Sequence, residues 1–321
     1  MTETHAGRSA FRGFVHLHCL RRTRKTADLL AAAHAAASPP AIHDLRVAAR
    51  RLIYTLDCFA TVLPPDGAAD FRKRIKSILS ATHPVREIDV ALELVPAVRA
   101  DAADTPTTAL RLRRGLAEKT LRKRLQHLTQ RWLSTASEIA PALQGGGTAS
   151  AAAAGKASAS LPWRPDESCA SNAGQVLPLL AMQYFGQGRG ACSTGSGAEA
   201  LHEFRLQGKR LRYCLEMFGD QYGPSLGARV ATLRDVQRRL GIVSDCDTVA
   251  RLLRSAVMPT DAALGRALAA LRERQQDATE SFLAHWQSRL APLEVEREWR
   301  SYLAMGSEEA SASPISSGQS G

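Results

Sequence analysis

Residues 42–59, IHDLRVAARRLIYTLDCF, sort their apolar and polar positions with a helical period. At about 100° per residue, Leu45, Ala49, Leu52, Leu56 and Phe59 gather in one sector. His43, Arg46, Arg50, Tyr54 and Asp57 gather in another, with Arg51 on its far side. The pattern recurs in residues 201–218, LHEFRLQGKRLRYCLEMF. There Phe204, Leu211, Leu215 and Phe218 form the apolar stripe, and His202, Arg205, Lys209 and Tyr213 the polar one, with Arg212 nearby.

Laid over one another, the segments match His43 with His202, Arg46 with Arg205, Arg50 with Lys209, Arg51 with Arg210, and Asp57 with Glu216. Agreement in such detail predicts an internal duplication. A weaker match follows between 76–95 and 234–253, setting Lys76 against Arg234 and Asp89 against Asp247. Each half is therefore expected to run motif helix, turn, basic helix, short break, helix. Pro64-Pro65 and Pro224 are expected to close the motif helices. Further helical patterns cover 11–36, 106–140, 173–186 and 261–301. The predicted fold class is all-α, a duplicated helical bundle. Its halves are 1–143 and 172–304. The Gly/Ala/Ser-rich stretch 144–171 reads as a linker, and 305–321 as a disordered tail.

Composition agrees with helix: Ala and Leu dominate the apolar residues and aromatics make up only 5%. Charge adds more. The 321 residues carry 42 Lys+Arg against 31 Asp+Glu, a net charge of +11. That balance speaks of partners, and leaves nucleic acid, an acidic membrane surface and inorganic polyanions open. Six cysteines stand without CxxC or zinc-finger spacing, which points to a reducing cytoplasm. The N-terminus lacks the apolar core of a signal peptide, and no segment has the apolar length to span a bilayer.

Cations stacked at i, i+4 repel by a few tenths of a kcal/mol per pair. A chain that accepts this in both halves points to an anionic partner that relieves it. Phosphate suits the side chains: arginine offers a planar fork of donors, lysine a compact charge and imidazole a directed donor. If the halves pack about a pseudo-twofold axis, the two stripes are expected to line one groove.

Other constellations are weaker. The His43-Asp44 dipeptide lacks supporting metal ligands. Asp245 and Asp247 read as helix-capping acids, and Asp89 as a structural acid within reach of Arg86. Glu294, Glu296 and Glu298 read as a solvated acidic turn. No phosphate-cradling G-x-x-x-x-G-K-[ST] loop occurs. The basic stretch 111–132 divides between a soluble outer face and an extension of an anion-binding surface.

At the motif helices the sequence resembles the CHAD family. Its first-half pattern, H-x-x-R-V-x-x-R-R-L-R, appears as His43-D-L-Arg46-V-A-A-Arg50-Arg51-L-Ile53. Its second, L-H-x-x-R-x-x-x-K-R-L-R-Y-x-x-E, appears as Leu201-His202-E-F-Arg205-L-Q-G-Lys209-Arg210-L-Arg212-Tyr213-C-L-Glu216. The chain departs at Ile53, where the family often has Arg, at Glu87, where Asp is usual, and at His83-Pro84, which replaces Leu-Gly. The resemblance implies two antiparallel four-helix bundles with pseudo-twofold symmetry. It also implies binding of inorganic polyphosphate through basic helix faces, without catalysis or cofactor, on cytoplasmic polyphosphate granules. Granule-associated proteins would be further partners, and a membrane would not. The implied contacts are His43, Arg46, Arg50 and Arg51 with His202, Arg205, Lys209, Arg210 and Arg212, and Lys76 and Arg234 on the adjoining helices. The triphosphate-tunnel domain found upstream in some members has no ExExK counterpart here. Two alternatives stay open: a basic helical nucleic-acid-binding protein, and a metal-dependent phosphohydrolase.

Overall fold

The computed structural model describes residues 3–97, 105–144, 161–193, 197–258 and 261–305. These form α1 (Glu3–Ala35), α2 (Pro39–Cys58), α3 (Pro65–Ala97), α4 (Thr105–Gln144) and α5 (Cys169–Ala191). After them come α6 (Ala198–Met217), a single turn α7 (Gly219–Tyr222), α8 (Pro224–Ala256), α9 (Ala262–Arg289) and α10 (Leu293–Met305). No strand occurs among the described residues, so the fold class is all-α, as the pattern predicts.

The motif helices begin and end for local reasons. Ser38 caps α2: its Oγ accepts from the Ala41 N–H at 3.4 Å, with Pro39 and Pro40 in the first turn. The two motif helices, α2 and α6, are 20 residues each, and the register that sets His43 on His202 also sets their ends together. The prolines act differently from the expectation. α2 ends at Cys58 and α6 at Met217, while Pro65 and Pro224 open α3 and α8. A proline in the first helical turn loses no hydrogen bond, because its N–H would be unpaired there anyway. Gly223, with φ +69°, makes the turn into α8 that a side chain would resist.

The expected break at His83-Pro84 is absent, and α3 runs 33 residues through Pro84. Proline removes one ladder donor, and side chains stitch the turn before it. Thr82 Oγ1 donates to the Ile78 carbonyl at 2.8 Å, and Arg46 donates to the Leu79 carbonyl at 2.6 Å. α8 likewise runs 33 residues without a break. The stretch 261–301 splits instead. Pro292 cannot continue a helix, and the N–H groups of Leu290 and Ala291 both donate to the Trp286 carbonyl.

The last part of the predicted linker packs against the helices. Leu161 and Trp163 are buried, and the Trp163 ring lies 5.5 Å from Phe11 and 5.6 Å from Phe218, centroid to centroid. The Asn172 side chain accepts from the Arg164 N–H and donates to its carbonyl. Residues 145–160 of the linker, and 306–321 of the tail, lie outside the described residues.

The chain divides into two compact units. One comprises Met1–Val15, Leu161–Gln237 and Ala284–Gly321, and the other His16–Ser160 and Arg238–Leu283. The cuts fall within α1, α8 and α9. In the second unit α2 packs on α3 and α3 on α4. Leu45, Ala49, Leu52, Leu56 and Phe59 are fully buried there, as the helical pattern requires. Further along, Ile88, Ala91 and Val95 share a core with Val249, Leu253 and Leu271.

In the first unit α5 packs on α6 and α10. Tyr184 stacks on Phe204 at 4.8 Å, and Trp286 meets Phe204 edge-on at 5.1 Å. Gly188 admits the Trp286 indole against α5: a Cβ at that position would overlap the ring. Gly188→Ala is expected to destabilise this unit by about 1–3 kcal/mol through overpacking, read as a lower denaturation midpoint.

Candidate functional site

The polar stripe of α2 divides into structural and solvent-facing members. His43 and Arg50 are exposed, Arg51 is half-buried and Arg46 is buried at 7% exposure. Arg46 donates to the Leu79 carbonyl at 2.6 Å and to Thr82 Oγ1 at 2.8 Å. It therefore ties α2 to α3. Burial lowers its pKa to about 10, and the nearby Arg50 and Arg86 add to the shift. His43 is shifted the same way: burial, then Arg86 and Arg50, pull its pKa down, against Asp44 and Glu93. The Arg51 carbonyl accepts from Arg22 at 3.0 Å.

Three cations thus act on one another at this face: Arg46, Arg50 and Arg86. Sequence reasoning assigned Arg86 only to an ion pair with Asp89. In the structure Arg86 faces Glu93 at 3.5 Å. Asp89 is buried and receives Arg114 from α4 at 3.0 Å, and the same guanidinium donates to the Ala37 carbonyl and pairs with Glu118. Asp89 is a structural acid, as expected, with a different partner. Within 111–132, Arg114 and Arg122 are both tied to Glu118.

On α6 the members sort differently. His202 is exposed, Arg205 and Arg210 are half-buried, and Lys209 is buried at 9% exposure. Lys209 sits where the first copy exposes Arg50. Arg212 lies over the Tyr213 ring at 4.3 Å and donates to Gln237 and Glu216, both at 2.8 Å. Arg234, reaching from α8, joins the same Glu216 at 3.0 Å. The corresponding acid on α2, Asp57, pairs with Arg72 of α3. Both motif helices therefore end in an acid that binds an arginine of the next long helix.

The remaining predicted residue, Lys76, is exposed and opens onto a cleft between α3 and α4 rather than onto the α2 face. Of its neighbours there, Arg124 and His127 belong to the basic stretch 111–132 noted in the sequence, and Lys73 was not picked out. The spacing of Lys73, Lys76, Ser77 and Ser80 along one helical face was the available signal.

Two acidic motifs also resolve. Glu296, expected in a solvated turn, is buried and pairs with Arg189 at 2.7 Å, because α10 packs its inner face on α5. Asp247 is exposed, unlike its sequence match Asp89. No cluster of three or more His, Cys, Asp or Glu able to hold a metal occurs among the described residues. No helix among them is long and apolar enough to cross a membrane.

The family model of the CHAD domain matches residues 17–254. The chain belongs to the CHAD-domain family. Its fold is similar to the crystal structure of the CHAD domain from the plant Ricinus communis, with a TM-score of 0.56 and 22% identity over 91% of this chain and 92% of that one. It is also similar to PptA from Streptomyces chartreusis, with a TM-score of 0.59 and 18% identity over 86% of this chain and 99% of that one. No curated protein matches it. The family match spans both motif helices and all of α3, and ends inside α8.

The division of the α2 stripe in this CHAD protein predicts a contrast. Arg46→Ala leaves the Leu79 carbonyl and Thr82 hydroxyl without their donor and should cost about 1–3 kcal/mol of stability. Arg50→Ala, at an exposed position, should stay within about 0.5 kcal/mol of wild type. Urea titrations of the two variants measure both.

Proposed function

We propose that this CHAD protein is a non-catalytic binding module for inorganic polyphosphate, held through the basic faces of α2 and α6 and associated with polyphosphate granules. One observation carries the reading. Arg50 and Arg86 gather beside Arg46 and His43, where they add to the effect of burial in lowering the pKa of both. Like charges held that close raise the energy of the unliganded face, and a polyanion lowers it. Membership of the family adds weight, since the motif residues are those by which the family is recognised. The ligand-facing set is narrower than the sequence suggests. His43, Arg50 and His202 present their side chains to solvent, while Arg46 serves mainly to position α2 on α3. Arg212 and Arg234 are partly neutralised by Glu216 and contribute less.

A nucleic-acid-binding function is the weaker alternative. The faces offer little aromatic surface for stacking: on α6 Tyr213 is buried and Arg212 covers its ring, and on α2 Tyr54 is half-buried.

Binding of labelled long-chain polyphosphate to full-length protein tests the proposal. Removing His43, Arg50, His202 and Arg210 together should weaken binding by at least about tenfold and flatten its dependence on salt. Affinity within about twofold of wild type in the folded variant would return both faces to the role of solvated surface. Unlabelled DNA at matched phosphate concentration should compete poorly, and efficient competition would favour the nucleic-acid reading.

The His43 shift gives a pH prediction. The free protein holds this imidazole less protonated than an ordinary histidine, and a bound polyanion favours the imidazolium. Binding should therefore take up protons and tighten as pH falls from 7.5 towards 5.5. The gain should shrink in His43→Gln, with the affinity compared at each pH.

A further inference from the structure

The α2–α4 unit holds a cleft of about 510 Å³ between α3 and α4. Four cationic or protonatable side chains line it: Lys73 and Lys76 from α3, and Arg124 and His127 from α4. Several other arginines of this unit are answered. Arg46 meets a carbonyl and a hydroxyl, Arg72 meets Asp57, Arg86 meets Glu93, and Arg114 and Arg122 meet Glu118. The four cleft residues are exposed, and among the described residues no carboxylate lines the cleft or pairs with them. Like charges converge there without a counter-ion from the protein.

The rest of the lining narrows the ligand. Ser77 and Ser80 bring hydroxyls that can donate to oxyanions. Ser77 donates to the Lys73 carbonyl at 3.1 Å, a bond that side-chain rotation exchanges for a phosphate oxygen. No Phe, Tyr or Trp lines the cleft, and His127 is its one ring, so it lacks the extended stacking platform that nucleobases use. Its volume falls within the range of small-molecule sites. Lys73 and Ser80 are two helical turns apart, which at 1.5 Å per residue makes a basic strip about 10 Å long. That is longer than a single phosphate group needs.

We infer that this cleft is a binding site for short condensed phosphates of the tripolyphosphate class, separate from the α2 and α6 faces. Lysines supply point charges along the strip, and Arg124 supplies a planar donor fork opposite them. The site stands on its own residues and does not require that the motif faces bind long chains.

Titration calorimetry of sodium tripolyphosphate into the full-length protein tests it. Wild type should bind one tripolyphosphate in the cleft. Lys73→Ala/Arg124→Ala, whose replaced side chains are exposed, should fold normally by circular dichroism and weaken that binding by at least about tenfold. His43→Ala/Arg50→Ala should leave it within about threefold. Tripolyphosphate binding that survives in Lys73→Ala/Arg124→Ala, or that is lost in His43→Ala/Arg50→Ala instead, overturns the inference. Long-chain polyphosphate titrated into the same variants separates the two sites. If long chains fail to bind wild type while tripolyphosphate binds through Lys73 and Arg124, the cleft stands and the proposed function of the motif faces falls.

Discussion

The α2 face depends on one guanidinium taken out of water. Arg46 crosses from α2 to the turn of α3 just before Pro84, where it meets the Leu79 carbonyl and the Thr82 hydroxyl. Burying a charge is costly unless it is hydrogen-bonded, and these two acceptors offset the cost in part. The contact fixes α2 against α3 and holds Arg50 and His43 beside Arg86. It also reaches the backbone one residue before Ser80, whose carbonyl Pro84 leaves without its ladder donor. The charge density of the face is thus a consequence of the packing that builds it.

A second buried pair does similar work one helix further on. Asp89 on α3 and Arg114 on α4 lie at 3.0 Å, and Arg114 also reaches back to the Ala37 carbonyl. Removing one member of such a pair is far more damaging than replacing both, because a lone charge is left in the interior. This lock sets α3 beside α4, and the cleft with Lys73, Lys76, Arg124 and His127 lies between the same two helices. Structural ion pairs use up part of the chain's positive charge. What they leave exposed includes Arg50 on α2 and the cations of the cleft.

The two motif helices share a sequence pattern and differ in how their cations are used. Arg46 is buried and Arg50 exposed, whereas Arg205 is half-buried and Lys209 buried. The residue matched to Thr82 is Leu240, which has no hydroxyl for a guanidinium. Yet Ile75, Ile78, Val85, Ile88, Ala91 and Val95 are buried together with their matches Leu233, Val236, Val243, Cys246, Val249 and Leu253. Apolar positions preserve the register, and the polar positions differ in their partners.

Local sequence specified the helical class, the place of the two motif helices and their apolar faces, though not their C-terminal ends, which fall at Cys58 and Met217 ahead of the prolines expected to close them. Those features rest on local periodicity and capping, which neighbouring residues carry. It also carried the family motif and with it the residues at stake. Tertiary structure decided which cations serve the fold and which face solvent. Arg46 and Arg50 are one turn apart on the same stripe, and only the approach of α3 buries the first. The same holds for Asp89, whose partner Arg114 lies 25 residues away, and for Trp163, whose low-complexity surroundings hide its aromatic partners. It holds for Pro84 too: a proline that reads as a break lies within α3, and Arg46 of α2 binds the turn before it. Local pattern specifies elements, but the burial and pairing of a charge depend on what the rest of the chain brings against it.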